Sequence, residues 1–183
     1  MKRLCVPFLF VSALAVSPSS AAAQQQGDVG LLMAVPAEVG VLWHVTDTVA
    51  VRPTIDFSSG SSRTSTPGGG ESESSSRGFA VGASVLFYLN DADNVRTYVA
   101  PRLQVVWASS DDRDSPSDVS TDAYGASVSY GAQYTPVSRL SLFGEVGVEY
   151  SRATTEVEGL DLKTRSSSWS PRAQVGLVFY FRD

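Results

Sequence analysis

The sequence predicts an all-β protein: an eight-stranded antiparallel up-and-down transmembrane β-barrel. After residue 38, bulky apolar residues recur at every second position with small or polar residues between them, which is the period of a β-strand. Most of these segments reach the length of about nine to eleven residues with which a tilted strand crosses a bilayer. Their connections alternate strictly between short and long, as in barrels that have short periplasmic turns and longer outer loops.

Alternation and turn residues give the order of the strands. The least regular segment is 28–45, which is compatible with one bent strand or with two. Because bacterial single-chain barrels have even strand numbers, we place a tight hairpin at Pro36-Ala37. The strands are then expected near 28–35, 37–45, 48–58, 77–89, 95–109, 121–135, 138–153 and 167–181.

The connections are of two kinds. Three are short, at 46–48, 90–94 and 136–137. The other three are rich in Ser, Asp and Glu, and they are predicted as long outer loops near 59–76, 110–120 and 154–166. The first of them contains Gly68-Gly69-Gly70 and many serines, a composition that predicts a mobile segment.

The first residues have the three parts of a secretory signal peptide. Lys2 and Arg3 precede an apolar run from Leu4 to Val16, and small residues follow, up to a cleavage site at Ala21-x-Ala23. The apolar run is too short for a membrane-spanning helix, which needs roughly 20 residues. We therefore expect a cleaved signal peptide of residues 1–23 and a barrel of residues 24–183, exported to the cell outer membrane.

Composition excludes several classes of site. The chain has 14 Lys and Arg against 19 Asp and Glu, and such an acidic exported protein lacks the electrostatic footprint of a nucleic-acid-binding protein. The only cysteine, Cys5, lies in the predicted signal peptide, so no disulfide and no cysteine metal site is expected in the mature chain. No phosphate loop, dinucleotide fingerprint or zinc spacing occurs, and we expect no cofactor.

The bulky face of the strands is predicted to face lipid. A soluble sandwich would bury this face, but a barrel of about eight strands has room inside for only a modest filling of side chains. Glycines and serines occupy the opposite face, which suits a narrow lumen. Aromatic residues fall near both ends of the strands and predict two interfacial girdles: Trp43, Phe87, Tyr134, Phe179 and Phe181 near the short turns, and Phe57, Phe79, Trp107, Tyr124, Tyr150 and Trp169 near the long loops.

Charges of both signs fall on the predicted inward face. They are Glu38, Arg52, Asp56, Arg102, Glu145, Glu149 and Arg172. Because a buried charge is costly unless it is paired, these residues predict a hydrogen-bonded network across the lumen. Three of the arginines adjoin lipid-facing prolines, at Arg52-Pro53, Pro101-Arg102 and Pro171-Arg172, and local bulges that aim each guanidinium at a carboxylate would explain this recurrence.

Three segments resemble the small outer-membrane β-barrel proteins of Gram-negative bacteria, the OmpA- and OmpX-like eight-stranded group. They are Val39 to Val45, Phe143 to Tyr150 and the terminal strand Val175 to Phe181. The last looks like the C-terminal signal that the barrel assembly machinery recognises, although this chain continues with Arg182-Asp183. The resemblance implies contact with outer-membrane lipid and lipopolysaccharide, and a monomer.

The sequence supports a structural and surface-directed role: a polar, mostly plugged lumen, a contribution to envelope integrity and adhesion through the outer loops. The alternative is a narrow passive channel for small solutes. Lipid-modifying catalysis is the third hypothesis, and the position of the only histidine disfavours it. His44 lies near the predicted periplasmic end, away from outer-leaflet substrates, so no catalytic residue is expected.

Overall fold

The computed structural model describes residues 24–65, 71–92, 94–112, 119–157 and 162–181, and the predicted signal peptide lies outside them. The described residues form eight antiparallel strands that close into one barrel in sequence order. The predicted barrel is thus confirmed. The strands are β1 (Val29–Val35), β2 (Glu38–His44), β3 (Val49–Ser65), β4 (Glu71–Ala92), β5 (Val95–Asp112), β6 (Val119–Val137), β7 (Leu140–Val157) and β8 (Leu162–Tyr180).

The segment 28–45 consists of two strands. β1 and β2 pair directly from Val29 with Trp43 to Ala34 with Glu38, and Pro36 and Ala37 form the turn. β8 closes the barrel by pairing with β1, for example Leu31 with Phe179. Within the described ranges, no helix is long and apolar enough to cross a membrane.

The predicted outer loops require correction. β3 continues to Ser65 and β4 begins at Glu71, so most of 59–76 is paired strand and not mobile coil. In the same way, strands extend into 110–120 and 154–166 from both sides. The ladder continues because the backbone groups of Ser and Thr can hydrogen-bond to the neighbouring strand even where the strand has no apolar face. Polarity alone therefore placed the strand ends too early.

The two ends of the barrel are distinct. We call the end where β2 connects to β3, β4 to β5 and β6 to β7 the short-turn end. The opposite end, where β3–β4, β5–β6 and β7–β8 extend, is the long-hairpin end. β1 and β2 are only 7 residues each. The other six strands have 17 to 22 residues, so the β1–β2 turn lies well below the rest of the rim.

Two of the prolines, Pro53 and Pro101, interrupt the strand ladder without bulges. β2 and β3 pair at Gly40–Thr54 and again at Trp43–Val51, with a lapse opposite Pro53 between them. The register is the same on both sides of this gap. The pairing of β4 with β5 has a similar gap around Pro101, again without a change of register. The predicted bulges are therefore wrong at these positions. Pro53 and Pro101 simply omit the ladder hydrogen bond that their missing N–H cannot make, whereas β7 and β8 pair without a break through Pro171.

The barrel interior changes in character along its axis. Towards the short-turn end it is packed by apolar and aromatic side chains, among them Leu32, Leu42, Leu86, Phe143 and Val178. Towards the long-hairpin end it is lined by charged and amide side chains. The large inward residues of the lower half were not expected from the glycines and serines of this face.

Candidate functional site: the barrel lumen

The seven predicted lumen charges all lie on inward-facing strand positions. Glu38, Arg52, Arg102 and Glu145 are buried, and Asp56, Glu149 and Arg172 are half-buried nearer the long-hairpin end. The alternation of each strand fixes this outcome, since residues two apart share a face of the wall. The structure divides the seven residues into a lower cluster, nearer the short-turn end, and an upper cluster, nearer the long-hairpin end.

The lower cluster is centred on Arg52 and Glu145. Arg52 donates from Nη1 to Glu145 Oε1 at 2.5 Å and from Nη2 to Oε2 at 3.1 Å. The Tyr98 hydroxyl donates to the same Oε1 at 2.9 Å. The two charged side chains are 2% and 1% exposed. This two-pronged, charge-assisted geometry is the strong form of an ion pair, and its partners are shielded from water.

The upper cluster is centred on Arg102 and Glu38. Arg102 donates to Glu38 at 2.5 Å and to Asp56 at 2.8 Å. Arg172 lies farther out, at 3.3 Å from Glu38 and 3.4 Å from Glu149. It also donates to the side-chain oxygen of Gln174 at 2.9 Å. The upper cluster thus joins strands β2, β3, β5, β7 and β8.

Two glycines make room for the large side chains of this network. A Cβ added at Gly82 would lie 2.9 Å from Arg102 Nη2, and one added at Gly131 would lie 2.5 Å from Tyr98 Cζ. Both glycines sit on the strand next to the long side chain. The inward glycines therefore allow the Arg102 and Tyr98 side chains to lie flat across the neighbouring strand.

A polar layer crosses the lumen nearer the short-turn end. The Tyr88 hydroxyl donates to Gln133 at 2.8 Å, and the Gln133 amide donates to the Tyr180 hydroxyl at 2.8 Å. His44 Nε2 lies 3.2 Å from the same hydroxyl, and its ring stacks on Tyr88 with centroids 5.4 Å apart. This chain of contacts runs from β4 through β6 and β8 to β2.

The residues before β1 fold into the short-turn mouth. Gln24 is buried, and its side-chain amide donates to Thr135 at 2.8 Å and to Ser141 at 3.0 Å. Arg96 donates to the Gln24 side-chain oxygen at 3.4 Å and lies over the Tyr88 ring, 3.9 Å from its centroid. Sequence reasoning missed this cap, because Gln24 lies outside the alternating pattern that located the strands.

The alternation of inward and outward positions along each strand would have identified other lumen residues. Phe143 shares its face with Glu145 and lies 5.6 Å from the Arg52 guanidinium carbon. Tyr98 and Tyr180 have the same inward parity as Arg102 and Gln174 on their strands. The sequence predictions named none of these three residues as lumen residues, although their positions in the alternation indicate the inward face.

The predicted girdle residues all occupy outward positions. Around the long-hairpin end, Phe57 contacts Phe79 at a centroid distance of 5.4 Å, and Phe79 contacts Trp107 at 5.9 Å. Tyr150 and Trp169 meet across β7 and β8 at 5.2 Å. Tyr124 on β6 is also exposed and lies towards the long-hairpin end. The remaining members lie towards the short-turn end: Trp43, Phe87, Tyr134, Phe179 and Phe181.

The lumen offers ion pairs and hydrogen bonds. Within the described ranges, no group of three or more His, Cys, Asp or Glu side chains is arranged to hold a metal ion. What the arrangement can do chemically is to fix opposite walls of the barrel together and to present charges of both signs towards the long-hairpin end.

The architecture recurs in a crystal structure of a major outer membrane protein from Thermus thermophilus. That protein is 14% identical in sequence, with 84% of this chain and 98% of that chain aligned at a TM-score of 0.58. The fold is that of an outer-membrane β-barrel. Two further crystal structures, Acinetobacter baumannii CarO and CarO2, align at TM-scores of 0.46, with identities of 11% and 10% over 85% and 86% of this chain and 98% and 100% of theirs. No family model and no curated protein matches the sequence.

Proposed function

We propose that this protein is an outer-membrane barrel with a closed lumen, whose role in the envelope is structural and surface-directed. The observation that carries the proposal is the Arg52–Glu145 pair, which joins β3 to β7, four strands apart in a ring of eight. The polar layer around Tyr88 and the Gln24 cap lie below this pair. Together, the three support a lumen that is blocked at three successive levels.

The outward face supports the membrane location. Large apolar residues cover it on every strand, including Leu103, Val146 and Val175, which are 69%, 63% and 61% exposed. Monomeric soluble proteins rarely leave so continuous an apolar surface in water. With the short-turn end in the periplasm, the paired hairpins of β3–β4, β5–β6 and β7–β8 project from the cell.

The proposed contacts follow from this placement. Outer-membrane lipid and lipopolysaccharide surround the wall, and the barrel assembly machinery receives β8, the strand that closes the ring on β1. The barrel acts as a monomer, since its ring is complete within one chain. The extended hairpins provide adhesive surface, and catalysis has no part in the proposal, because His44 is fully buried and its ring packs against two tyrosines.

Conductance and stability, measured together, test the closed lumen. Purified protein in planar lipid bilayers is expected to give no discrete current, and liposomes that contain it are expected not to swell in small sugars. Arg102→Ala should lower thermal stability without creating current, because Arg52 and the layers below still block the lumen. A new current in Arg102→Ala would favour a gate, and current or swelling in the wild type would favour the alternative of a narrow passive channel.

Deletion of residues 60–75 tests the adhesive role. The deletion removes the polar part of the β3–β4 hairpin and leaves the Phe57–Phe79 contact at its base. Cells that carry the shortened protein are expected to attach less well to surfaces than cells with equal amounts of the full protein. Unchanged attachment would count against adhesion through this hairpin and would leave the closed-lumen proposal standing.

A further inference from the structure

The barrel wall has a notch above the β1–β2 turn. β8 pairs with β1 only up to Val175, and β3 pairs with β2 only up to Asp56, after which Phe57 donates a last hydrogen bond to Ala37. Beyond these points both strands continue for many residues. Among the described pairings, β3 and β8 have no strand partner on this side of the wall.

A cavity opens through this notch. Its volume is about 270 Å³, and its inner wall is made by Glu38, Asp56, Glu149, Arg172 and Gln174. Pro36 from the turn and Pro171 and Ala173 from the outward face of β8 complete the lining. Because inward and outward residues line the same space, the cavity connects the lumen to the outside of the wall. Pro171 has no N–H, so it cannot donate to a strand that would close the gap.

The height of the notch places it in the outer leaflet. Seven residues rise about 23 Å along a strand, or roughly 18 Å along the axis of a barrel whose strands tilt by about 40°. The apolar band of such barrels is about 25 Å tall, so the notch opens near its upper edge. Phe57 and Trp169, exposed girdle residues on β3 and β8, stand on its two sides. Below it, the outward surface is apolar: Val35, Val39 and Val175.

The charge of the cavity is acidic. Three carboxylates line it against one guanidinium, and the set remains acidic when Arg102 behind Glu38 is included. Glu38 accepts from Arg102 and Arg172 on Oε2, while its buried Oε1 has no hydrogen-bond partner of good geometry among the described residues. The cavity therefore remains acidic overall although Arg172 lies in it, and Glu38 Oε1 keeps an acceptor position unused by the described residues.

We propose that the notch binds a single-chain amphiphile with a primary ammonium head, which enters sideways from the outer leaflet. The ammonium donates to Glu38, Asp56 and Glu149, and the alkyl chain lies on Val35, Val39 and Val175. A primary ammonium group has three donors, which matches this group of acceptors. The proposal rests on the proposed outer-membrane location and adds a ligand to it.

Fluorescence quenching in nanodiscs tests the site. Trp43→Phe with Trp107→Phe leaves Trp169, which lies two residues from Pro171 on the same face, as the single tryptophan of the described barrel. Trp43→Phe with Trp169→Phe leaves Trp107 as the matched reference. Dodecylammonium brominated near its head should quench Trp169 at a concentration about tenfold or more below that for Trp107, as one or two charge-assisted hydrogen bonds imply.

Charge variants and other probes complete the test. Asp56→Asn with Glu149→Gln should abolish the preference for Trp169. Glu156→Gln, near the tip of the β7–β8 hairpin and away from the notch, should leave the preference intact. Brominated dodecanoate should show no preference, and butylammonium should not compete at equal concentration, because it lacks the chain. Equal quenching of both tryptophans, insensitivity to the Asp56 and Glu149 changes, or competition by butylammonium would each overturn the proposal. Protein that does not float with vesicles would instead refute the membrane location itself.

Discussion

Arg52 on β3 and Glu145 on β7 meet in the middle of the lumen, with nitrogen–oxygen distances of 2.5 and 3.1 Å. Their strands stand opposite one another in the ring. The pair therefore spans the barrel in one contact, and the Tyr98 hydroxyl adds a third hydrogen bond to the carboxylate. A side chain removed from this pair leaves its partner charged and out of reach of water.

Arg52→Ala should strongly destabilise the barrel. The substitution leaves Glu145 buried without its guanidinium, and loss of one partner of a buried pair costs about 3–5 kcal/mol. The free energy of unfolding in urea, measured in lipid vesicles, checks this value. In the double variant Arg52→Ala with Glu145→Ala, the loss should be smaller than the sum of the two single losses, because no isolated charge remains.

Lys163→Ala is the matched control for that measurement. Lys163 pairs with Glu156 across β7 and β8, but both side chains are more than half exposed. Exposed pairs contribute only about 0–1 kcal/mol, so this variant should unfold close to the wild type. Equal losses for Arg52→Ala and Lys163→Ala would contradict the buried position of the lumen pair.

Gly131→Ala should destabilise the barrel, whereas Gly144→Ala should not. The added methyl group at Gly131 would lie 2.5 Å from the Tyr98 ring, while at Gly144 the nearest atom outside its chain neighbours is Val175 Cγ1 at 3.9 Å. Overpacking of this kind typically costs about 1–3 kcal/mol. Urea unfolding of the two variants measures the difference, and equal stability would mean that Tyr98 does not lie over Gly131.

Loss of residues 60–75 should leave the barrel folded. The girdle contact of Phe57 with Phe79 and the ladder below it remain in the shortened chain. We expect the variant to keep the compact migration of an unheated barrel on detergent gels and to shift only after boiling. A shortened protein that migrates as unfolded chain before boiling would show that the extended β3–β4 hairpin is needed for closure of the ring.

The period of two carried most of the fold prediction. It placed Arg52 and Glu145 on the inward face and Phe79 on the outward face, and the turn residues Pro36 and Ala37 separated β1 from β2. The period of two could not predict which inward residues contact one another. Arg102 contacts Glu38 across a separation of 64 residues, and this depends on barrel closure and strand stagger.

Two features escaped prediction for physical reasons. Gln24 is held by Thr135 and Ser141, residues of other strands, so nothing local to Gln24 indicates its burial. The hairpins beyond Phe57 and Trp107 are polar on both faces, so the alternation in hydrophobicity stops there although the backbone pairing continues. The notch above β1 and β2 depends on the same difference in strand length.

The most direct test of the central claim is the folding free energy of Val146→Arg in lipid vesicles. Val146 lies outward, near the middle of β7, and is 63% exposed. If lipid surrounds this face, the arginine should cost about 2–4 kcal/mol, as it does at the midplane of other barrels. Ser166→Arg, on the exposed hairpin, should stay within about 0.5 kcal/mol of the wild type. A Val146→Arg protein as stable as the Ser166→Arg control would place the outward face in water and contradict the account.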